Sequence, residues 1–287
     1  MPLVNLKPWL RRAQQQHFAI GAFNANTLEQ AQAVAMAAEA EAAPAFIQIS
    51  HNAAIYAGRG NALLGLRFMA SIGCVAASSV RVPIALHLDH ATAEEVQQAL
   101  ALGFTSVMFD GGDLPFEQNM QATYKLAGIA HMAGASIEGE IGDVPKRDSS
   151  GRMAPAILTE PQEAADYARA SGIDVLAIAI GSAHGGRTKE VELDLERLKA
   201  IRQLVSLPLA LHGSSGVTDD SLARAIQAGI VKVNLATQLN QAFTRGVRAS
   251  LEDSSICDPR QYLGPARDEM IEQVRERIRF FGSDGQA

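Results

Sequence analysis

Pro83-Ile84-Ala85-Leu86-His87-Leu88-Asp89-His90 is an apolar run that ends with a carboxylate beside an imidazole. Two later runs have the same form, Val175-Leu176-Ala177-Ile178-Ala179-Ile180-Gly181-Ser182-Ala183-His184 and Leu207-Pro208-Leu209-Ala210-Leu211-His212. Near-continuous apolar runs of this kind belong to parallel strands buried on both faces. Strands are expected at residues 18–23, 45–50, 83–88, 106–110, 135–140, 175–180, 207–212 and 231–234. Helical segments such as 28–42, 93–102, 116–132, 161–171, 194–205 and 219–228 lie between them, and Thr92, Thr159 and Thr218 mark three helix starts. This alternation predicts an α/β chain, a single (β/α)8 TIM barrel over residues 1–287. The glycine-rich first turn of a dinucleotide-binding sheet is missing.

The chain has 287 residues, 47% of them hydrophobic, and a formal net charge of -6. That balance gives no basic footprint for nucleic acid, so an anionic substrate needs local positive groups. Cys74 and Cys257 lack metal-ligand spacing and are too few for a disulfide framework. Cys74 lies in an apolar helical stretch and is expected as buried filler. The N-terminus carries no basic region followed by an apolar run, and no stretch reads as a membrane span. A cytoplasmic protein without a membrane partner is the expectation. Two segments break the alternation. Residues 141–158 are polar and irregular and follow the fifth strand, where they would form a mobile loop over the catalytic face. Residues 253–265 are irregular too, and open a C-terminal loop and helix over 253–287.

In a parallel barrel the downstream strand ends converge on one face, so His90, His184 and His212 are brought together by the topology. Three imidazoles with an open fourth position describe a catalytic zinc site. His87 shares a strand face with Asp89 and is expected to lie behind the site rather than ligate. Asp89 would stay ionised next to a cation and exchange protons with a substrate hydroxyl. Glu138 and Glu140 share one face of the fifth strand, and Asp110 ends the fourth. Acids facing a barrel interior are costly unless they touch metal, water or cations. His184-Gly185-Gly186-Arg187-Thr188-Lys189 and His212-Gly213-Ser214-Ser215-Gly216 each follow a strand, and the last strand ends Asn234-Leu235-Ala236-Thr237. Glycine turns that expose backbone N–H groups next to hydroxyls or a lysine form a phosphate cradle.

These residues give the chain its likeness to a known group. His-Leu-Asp-His at 87–90, Glu-Gly-Glu-Ile-Gly at 138–142, Gly-Ser-Ala-His-Gly at 181–185, His-Gly-Ser-Ser-Gly at 212–216 and Lys-Val-Asn-Leu-Ala-Thr at 232–237 occur in order. The chain resembles the class II, metal-dependent ketose-bisphosphate aldolases of the fructose- and tagatose-bisphosphate type. The resemblance implies one catalytic zinc per subunit on His90, His184 and His212, with Glu140 able to join it. A monovalent cation is a further cofactor it allows. It implies Asp89 as the acid/base at the C4 hydroxyl, and Asn24 and Ser50 as substrate contacts. It further implies that Gly185, Gly213, Ser215, Asn234 and Thr237 hold the dihydroxyacetone phosphate half. Arg260 matches an arginine that reaches a neighbouring subunit's site and binds the distal phosphate, so a homodimer or homotetramer is implied. The expected reaction is reversible cleavage of a phosphorylated ketose, fructose or tagatose 1,6-bisphosphate-like or a ketose 1-phosphate. The products would be dihydroxyacetone phosphate and an aldehyde, by way of a metal-stabilised enediolate.

The chain departs from that pattern on the aldehyde side. Relatives carry a Gly-Gly pair and then acids after the fifth strand, where this chain reads Asp143-Val144-Pro145-Lys146-Arg147-Asp148-Ser149. Asp148 is the nearest match to the acid acting at C3. Thr188 stands at a phosphate-binding lysine position and Lys189 follows it, Gly112-Asp113 replaces the usual pair, and Ala236 is shared with tagatose-type relatives. Two other functions use the same parts. One is a metal-dependent sugar-phosphate epimerase or isomerase, and the other a non-catalytic sugar-phosphate-binding barrel.

Overall fold

The computed structural model describes residues 3–145, 156–186 and 188–287. Eight parallel strands close into a barrel in sequence order: β1 (Ile20–Asn24), β2 (Ala45–Ser50), β3 (Ile84–Ala91), β4 (Ser106–Phe109), β5 (Ser136–Ile141), β6 (Val175–Ile178), β7 (Leu209–Leu211) and β8 (Ile230–Leu235). Around it run α1 (Lys7–Gln16), α2 (Leu28–Ala40), α3 (His51–Ala57), α4 (Ala62–Ser78), α5 (Ala93–Ala101) and α6 (Phe116–Met132). They are followed by α7 (Pro161–Ala170), α8 (Leu195–Leu204), α9 (Asp219–Gln227), α10 (Thr237–Ser250) and α11 (Pro259–Phe281). The expected (β/α)8 TIM barrel is therefore observed.

Each strand is buried on both sides, because one face meets the helices and the other the barrel interior. The interior has two layers. Its lower layer is apolar, with Ile20, Ala22, Phe46, Ala85, Val175, Ala177, Ala210 and Val231 packed against Leu6, Leu10 and Ala13 at and in α1. That helix closes the upstream end, which leaves the downstream end as the open mouth. The upper layer is polar and includes Gln48, His87, Glu138 and Lys232, all buried.

Several expectations need correction. β7 is only three residues long, and β3 runs on to Ala91 through a register shift between Leu88 and Ala91. The segment at 253–265 is not irregular throughout. α11 begins at Pro259, capped by the Asp258 side chain, and holds Pro265 inside. Thr159 is not a helix cap, because its hydroxyl donates to Ile141 O (2.6 Å) and accepts from Ala179 N (2.8 Å), joining β5 to the end of β6. Cys74 lies in α4 and is half-buried. No single helix among the described residues is long and apolar enough to cross a membrane.

The outer layer closes where α10 crosses α11. A Cβ on Gly246 would stand 2.5 Å from Ala266 Cα, so the two backbones touch there. Neither backbone can yield without separating the helices. Gly246→Ala is expected to destabilise the fold by about 1–3 kcal/mol, the usual range for overpacking. A fall in denaturant midpoint at unchanged slope would show it, and an unchanged midpoint would refute the close contact.

Candidate active site

A regular strand points successive side chains to opposite faces. Asp89 and His90 are neighbours, yet both line the same cleft at the barrel mouth. The backbone explains this. His90 has φ 52°, in the left-handed region, at the point where β3 slips register against β4. The bulge turns the imidazole inward next to Asp89. His212 follows directly on the short β7, and Gly213 turns the chain at φ 64°. His184 lies beyond β6, its N–H bonded to Pro145 O (2.9 Å).

The three rings meet as the topology requires. Centroids are 5.4 Å apart for His90 and His184, 5.0 Å for His90 and His212, and 6.3 Å for His184 and His212. One ring nitrogen from each lies within 4.8 Å of the others, an arrangement able to hold a metal ion. The outer nitrogens are already engaged. His90 Nδ1 pairs with Asp110 Oδ2 (2.9 Å), and His212 Nε2 with Glu138 Oε1 (2.8 Å). His90 Nε2 and His184 Nε2 are buried without a hydrogen-bond partner, while His212 Nδ1 and Glu140 Oε2 face each other. Glu140 Oε2 is 3.0 Å from His212 Nδ1. Carboxylates behind the His90 and His212 rings fix their orientation and leave inward nitrogens for a cation, so the donor set fits a divalent metal.

Asp89 is held by amides. Gln48 Nε2 donates to its Oδ2 (3.1 Å) and to Asn24 Oδ1 (2.9 Å), while Asn234 Nδ2 donates to its Oδ1 (3.2 Å). Lys232 Nζ orients Asn234 by donating to its Oδ1 (2.7 Å), and forms an ion pair with Glu138 Oε2 (2.9 Å). Sequence reasoning missed Gln48. Its signal was a polar residue on β2 sharing a face with Ser50, two positions on.

The electrostatics follow from these contacts. Burial works against ionised Asp89, but His90, His212 and Lys232 outweigh it and hold the carboxyl below the usual range. Burial also opposes ionised Glu138 and Glu140, and Lys232 and His212 overcome it for the first, His212 and His90 for the second. His87 is driven down to about 3 by burial, with Lys232 adding to the effect, and is neutral. Its Nδ1 lies 2.7 Å from Ser106 Oγ, behind the site as expected. His184 falls to about 4, again through burial first and then its two histidine neighbours. Burial pulls His212 down as well, but Glu140 and Glu138 raise it to about 10.

The cleft has a volume of about 950 Å³. Asn24, Ser50, Asp89, Glu140, Gly185, Gly213, Ser215, Asn234 and Thr237 all line it with His90 and His184. The two glycine turns pack back to back, for a Cβ on Gly186 would sit 2.5 Å from Gly216 Cα. One expected contact is not brought to the cleft, for Lys189 Nζ is bonded to Asp219 Oδ2 (2.6 Å). Arg260, expected at a neighbouring subunit's site, is exposed and paired with Asp258. Asp148, Lys146 and Arg147 lie outside the described residues.

Comparison with known proteins gives the same picture. The family model described as fructose-bisphosphate aldolase class-II matches residues 4–286. A fructose-bisphosphate aldolase of Geobacillus stearothermophilus is 37% identical over 291 aligned positions, covering 100% of this chain and 99% of the relative. One from Staphylococcus epidermidis is 36% identical, with 100% of both chains covered. Among solved structures, the YdjI aldolase of Escherichia coli K12 superimposes with a TM-score of 0.85 at 30% identity, covering 99% of each chain. A putative fructose-1,6-bisphosphate aldolase from Coccidioides immitis gives 0.84 at 30%, covering 97% of this chain and 96% of the other. With its closed barrel and its histidine cluster at the strand ends, the chain belongs to the class-II fructose-bisphosphate aldolase family and is a carbon–carbon lyase.

Proposed function

We propose that this aldolase is zinc-dependent and cleaves a phosphorylated ketose into dihydroxyacetone phosphate and an aldehyde. The observation that carries the reading is the convergence of three imidazoles, with buried His90 Nε2 and His184 Nε2 lacking partners and His212 Nδ1 facing Glu140, beside an ionised carboxylate fixed by two amides. Imidazoles with a nearby carboxylate suit zinc, which would displace the proton that Glu140 and Glu138 favour on His212. His90, His184 and His212 would hold it, and Glu140 is close enough to His212 to join them. Bound there, the ion supplies Lewis-acid stabilisation of the negative charge that cleavage leaves on the keto-phosphate fragment.

The chain's own residues perform the rest. Asp89, with both oxygens oriented by Gln48 and Asn234, takes the proton of the C4 hydroxyl. The freed electron pair forms the aldehyde C=O while the C3–C4 bond breaks toward C3. In condensation Asp89 returns the proton. The keto-phosphate half lies toward Gly185, Gly213, Ser215, Asn234 and Thr237, where glycine lets the backbone approach an anion. Asn24 and Ser50 complete the cleft wall. Asp148 is the assigned acid at C3. Lys232 is no Schiff-base nucleophile, since its ammonium is buried against Glu138 and Asn234. Arg260, exposed at the start of α11, serves a neighbouring subunit in a homodimer or homotetramer. A cytoplasmic setting and an assisting monovalent cation belong to the same reading. The relatives' shared aldolase activity favours it over an epimerase or a binding barrel.

A coupled assay for dihydroxyacetone phosphate, run on zinc-loaded and chelator-treated protein, tests this. Zinc-dependent release from a ketose phosphate is expected, and no release from any of them with zinc bound would overturn the reading. His212→Ala is expected to lose zinc, read by elemental analysis after dialysis, and activity with it. Asp89→Ala is expected to keep zinc but lose at least ~10²-fold in kcat, the scale of a general acid/base. Normal turnover by that variant would remove Asp89 from the mechanism.

A further inference from the structure

Asn119, in the first turns of α6, lines the cleft, and the chemistry above does not use it. It is buried, with 7% of its surface exposed. Its carboxamide oxygen is held by two hydroxyls. Thr123 Oγ1, one turn on in α6, and Tyr167 OH, on α7, each donate to Asn119 Oδ1 at 3.1 Å, and the two hydroxyls lie 2.8 Å apart. Both hydroxyl side chains are fully buried. Burial pushes the Tyr167 phenol up to about 12, so it keeps its proton and can donate.

Two glycines make room for this triangle. A Cβ on Gly111, in the turn after β4, would stand 2.3 Å from Asn119 Oδ1. One on Gly139, in β5, would stand 2.7 Å from Tyr167 OH. Phe109 and Gly139 are register partners, so the triangle sits across the downstream ends of β4 and β5. A bond between Thr123 and Tyr167 would by itself tie α6 to α7. The asparagine adds a polar group that reaches the cleft. A carboxamide has one acceptor oxygen and two donor hydrogens. With Oδ1 taken by the hydroxyls, the Nδ2 donors are what Asn119 offers there.

The topology indicates what those donors meet. In a closed ring of eight strands, β3 stands opposite β7. A substrate with its phosphate on the glycine turns after β6 and β7, and its C4 hydroxyl at Asp89 on β3, carries its remaining atoms over the β3 and β4 ends. Gly111 and Asn119 follow directly on β4. Hydroxyl and phosphate oxygens both accept from an amide, so the donor suits either at the far end of the sugar.

We propose that Asn119, held by Thr123 and Tyr167, donates a hydrogen bond to an oxygen of the aldehyde fragment, hydroxyl or phosphate. This rests on the aldolase reading above. It makes Asn119 a substrate-binding residue, and Thr123 and Tyr167 positioning residues.

The test uses the zinc-loaded full chain and two reactions. Solvent-deuterium exchange at the hydroxymethyl carbon of dihydroxyacetone phosphate needs no aldehyde fragment, whereas cleavage needs the whole ketose. Cleavage is measured on fructose and tagatose 1-phosphates and 1,6-bisphosphates. Asn119→Ala is expected to lose about tenfold in kcat/KM for cleavage, the scale of one hydrogen bond left unmade. Its exchange rate and zinc content should stay at wild-type values. Loss with 1-phosphates and bisphosphates alike assigns the contact to a hydroxyl, and loss with bisphosphates alone assigns it to the phosphate. Asn119→Asp keeps an acceptor for both hydroxyls but has no donor when ionised, so it should lose at least as much. Tyr167→Phe leaves the carboxamide held by Thr123 alone, and a smaller loss confined to cleavage is expected. Unchanged cleavage by Asn119→Ala, or an equal fall in exchange and cleavage, would overturn the assignment. Should Asn119→Ala fail to fold, Asn119→Asp carries the same comparison. Wild type that neither exchanges nor cleaves would defeat the aldolase reading itself, a result distinct from the failure of Asn119 alone.

Discussion

The backbone kink between Leu88 and Ala91 is the constraint on which the site depends. β3 delivers His87 and Asp89 to the interior by ordinary alternation, and the same alternation would send His90 out among the helices. The left-handed conformation at His90 brings it back. That conformation costs a non-glycine residue roughly 1–2 kcal/mol. Glycine would remove the strain, but it would remove the imidazole as well. The hydrogen bond from His90 to Asp110 at the end of β4 holds the ring once it has turned. One strained residue thus places a carboxylate and an imidazole on one centre, which no straight strand can do with adjacent residues.

Below that centre, charge is arranged in a buried network rather than in isolated pairs. Glu138 meets Lys232 on one oxygen and His212 on the other, and Lys232 in turn fixes Asn234 against Asp89. An unpaired carboxylate or ammonium in this layer would be expensive, and together they satisfy one another. The network couples His212 to Asp89 through three side chains from two strands, Glu138 on β5 and Lys232 and Asn234 on β8. The apolar layer beneath it, sealed by α1, keeps the network from opening to water on the upstream side.

The sequence carried the fold because each strand's burial is written in its own residues. Residues 45–50 and 116–132 come out with the boundaries expected of them. The convergence of His90, His184 and His212 followed from topology alone. What was not legible depends on contacts distant in sequence. α1 has its apolar residues explained only by the barrel floor it covers, and α10 only by α11. Gln48 reads as a lone polar residue on a strand until Asn24 and Asp89 are seen beside it. Lys189 looked like an anion contact by its neighbours in the chain, and Asp219, thirty residues on, captures it instead. The kink at His90 could not be read either, since local sequence does not announce a non-glycine residue with positive φ.

The two sides of the cleft are built from different materials, and this bears on how one chemistry serves different sugars. The β6–β8 side relies on backbone exposed by glycine, at Gly185 and Gly213, both with positive φ. Backbone donors do not change when neighbouring side chains do, so that side keeps its donors through wide variation in sequence. The β2–β4 side is made of side chains: Ser50, His51, Asn52, Thr92, Asp110 and Asp113. Ser50 and Thr92 also cap α3 and α5, and Asp110 holds His90, so these side chains carry structure as well; one departure from the family pattern, Gly112-Asp113, falls there. Reaction type is therefore tied to the strands and the kink. On the proposed function, choice of aldehyde belongs with the residues that follow the strands, of which Asp110 also holds the His90 ring.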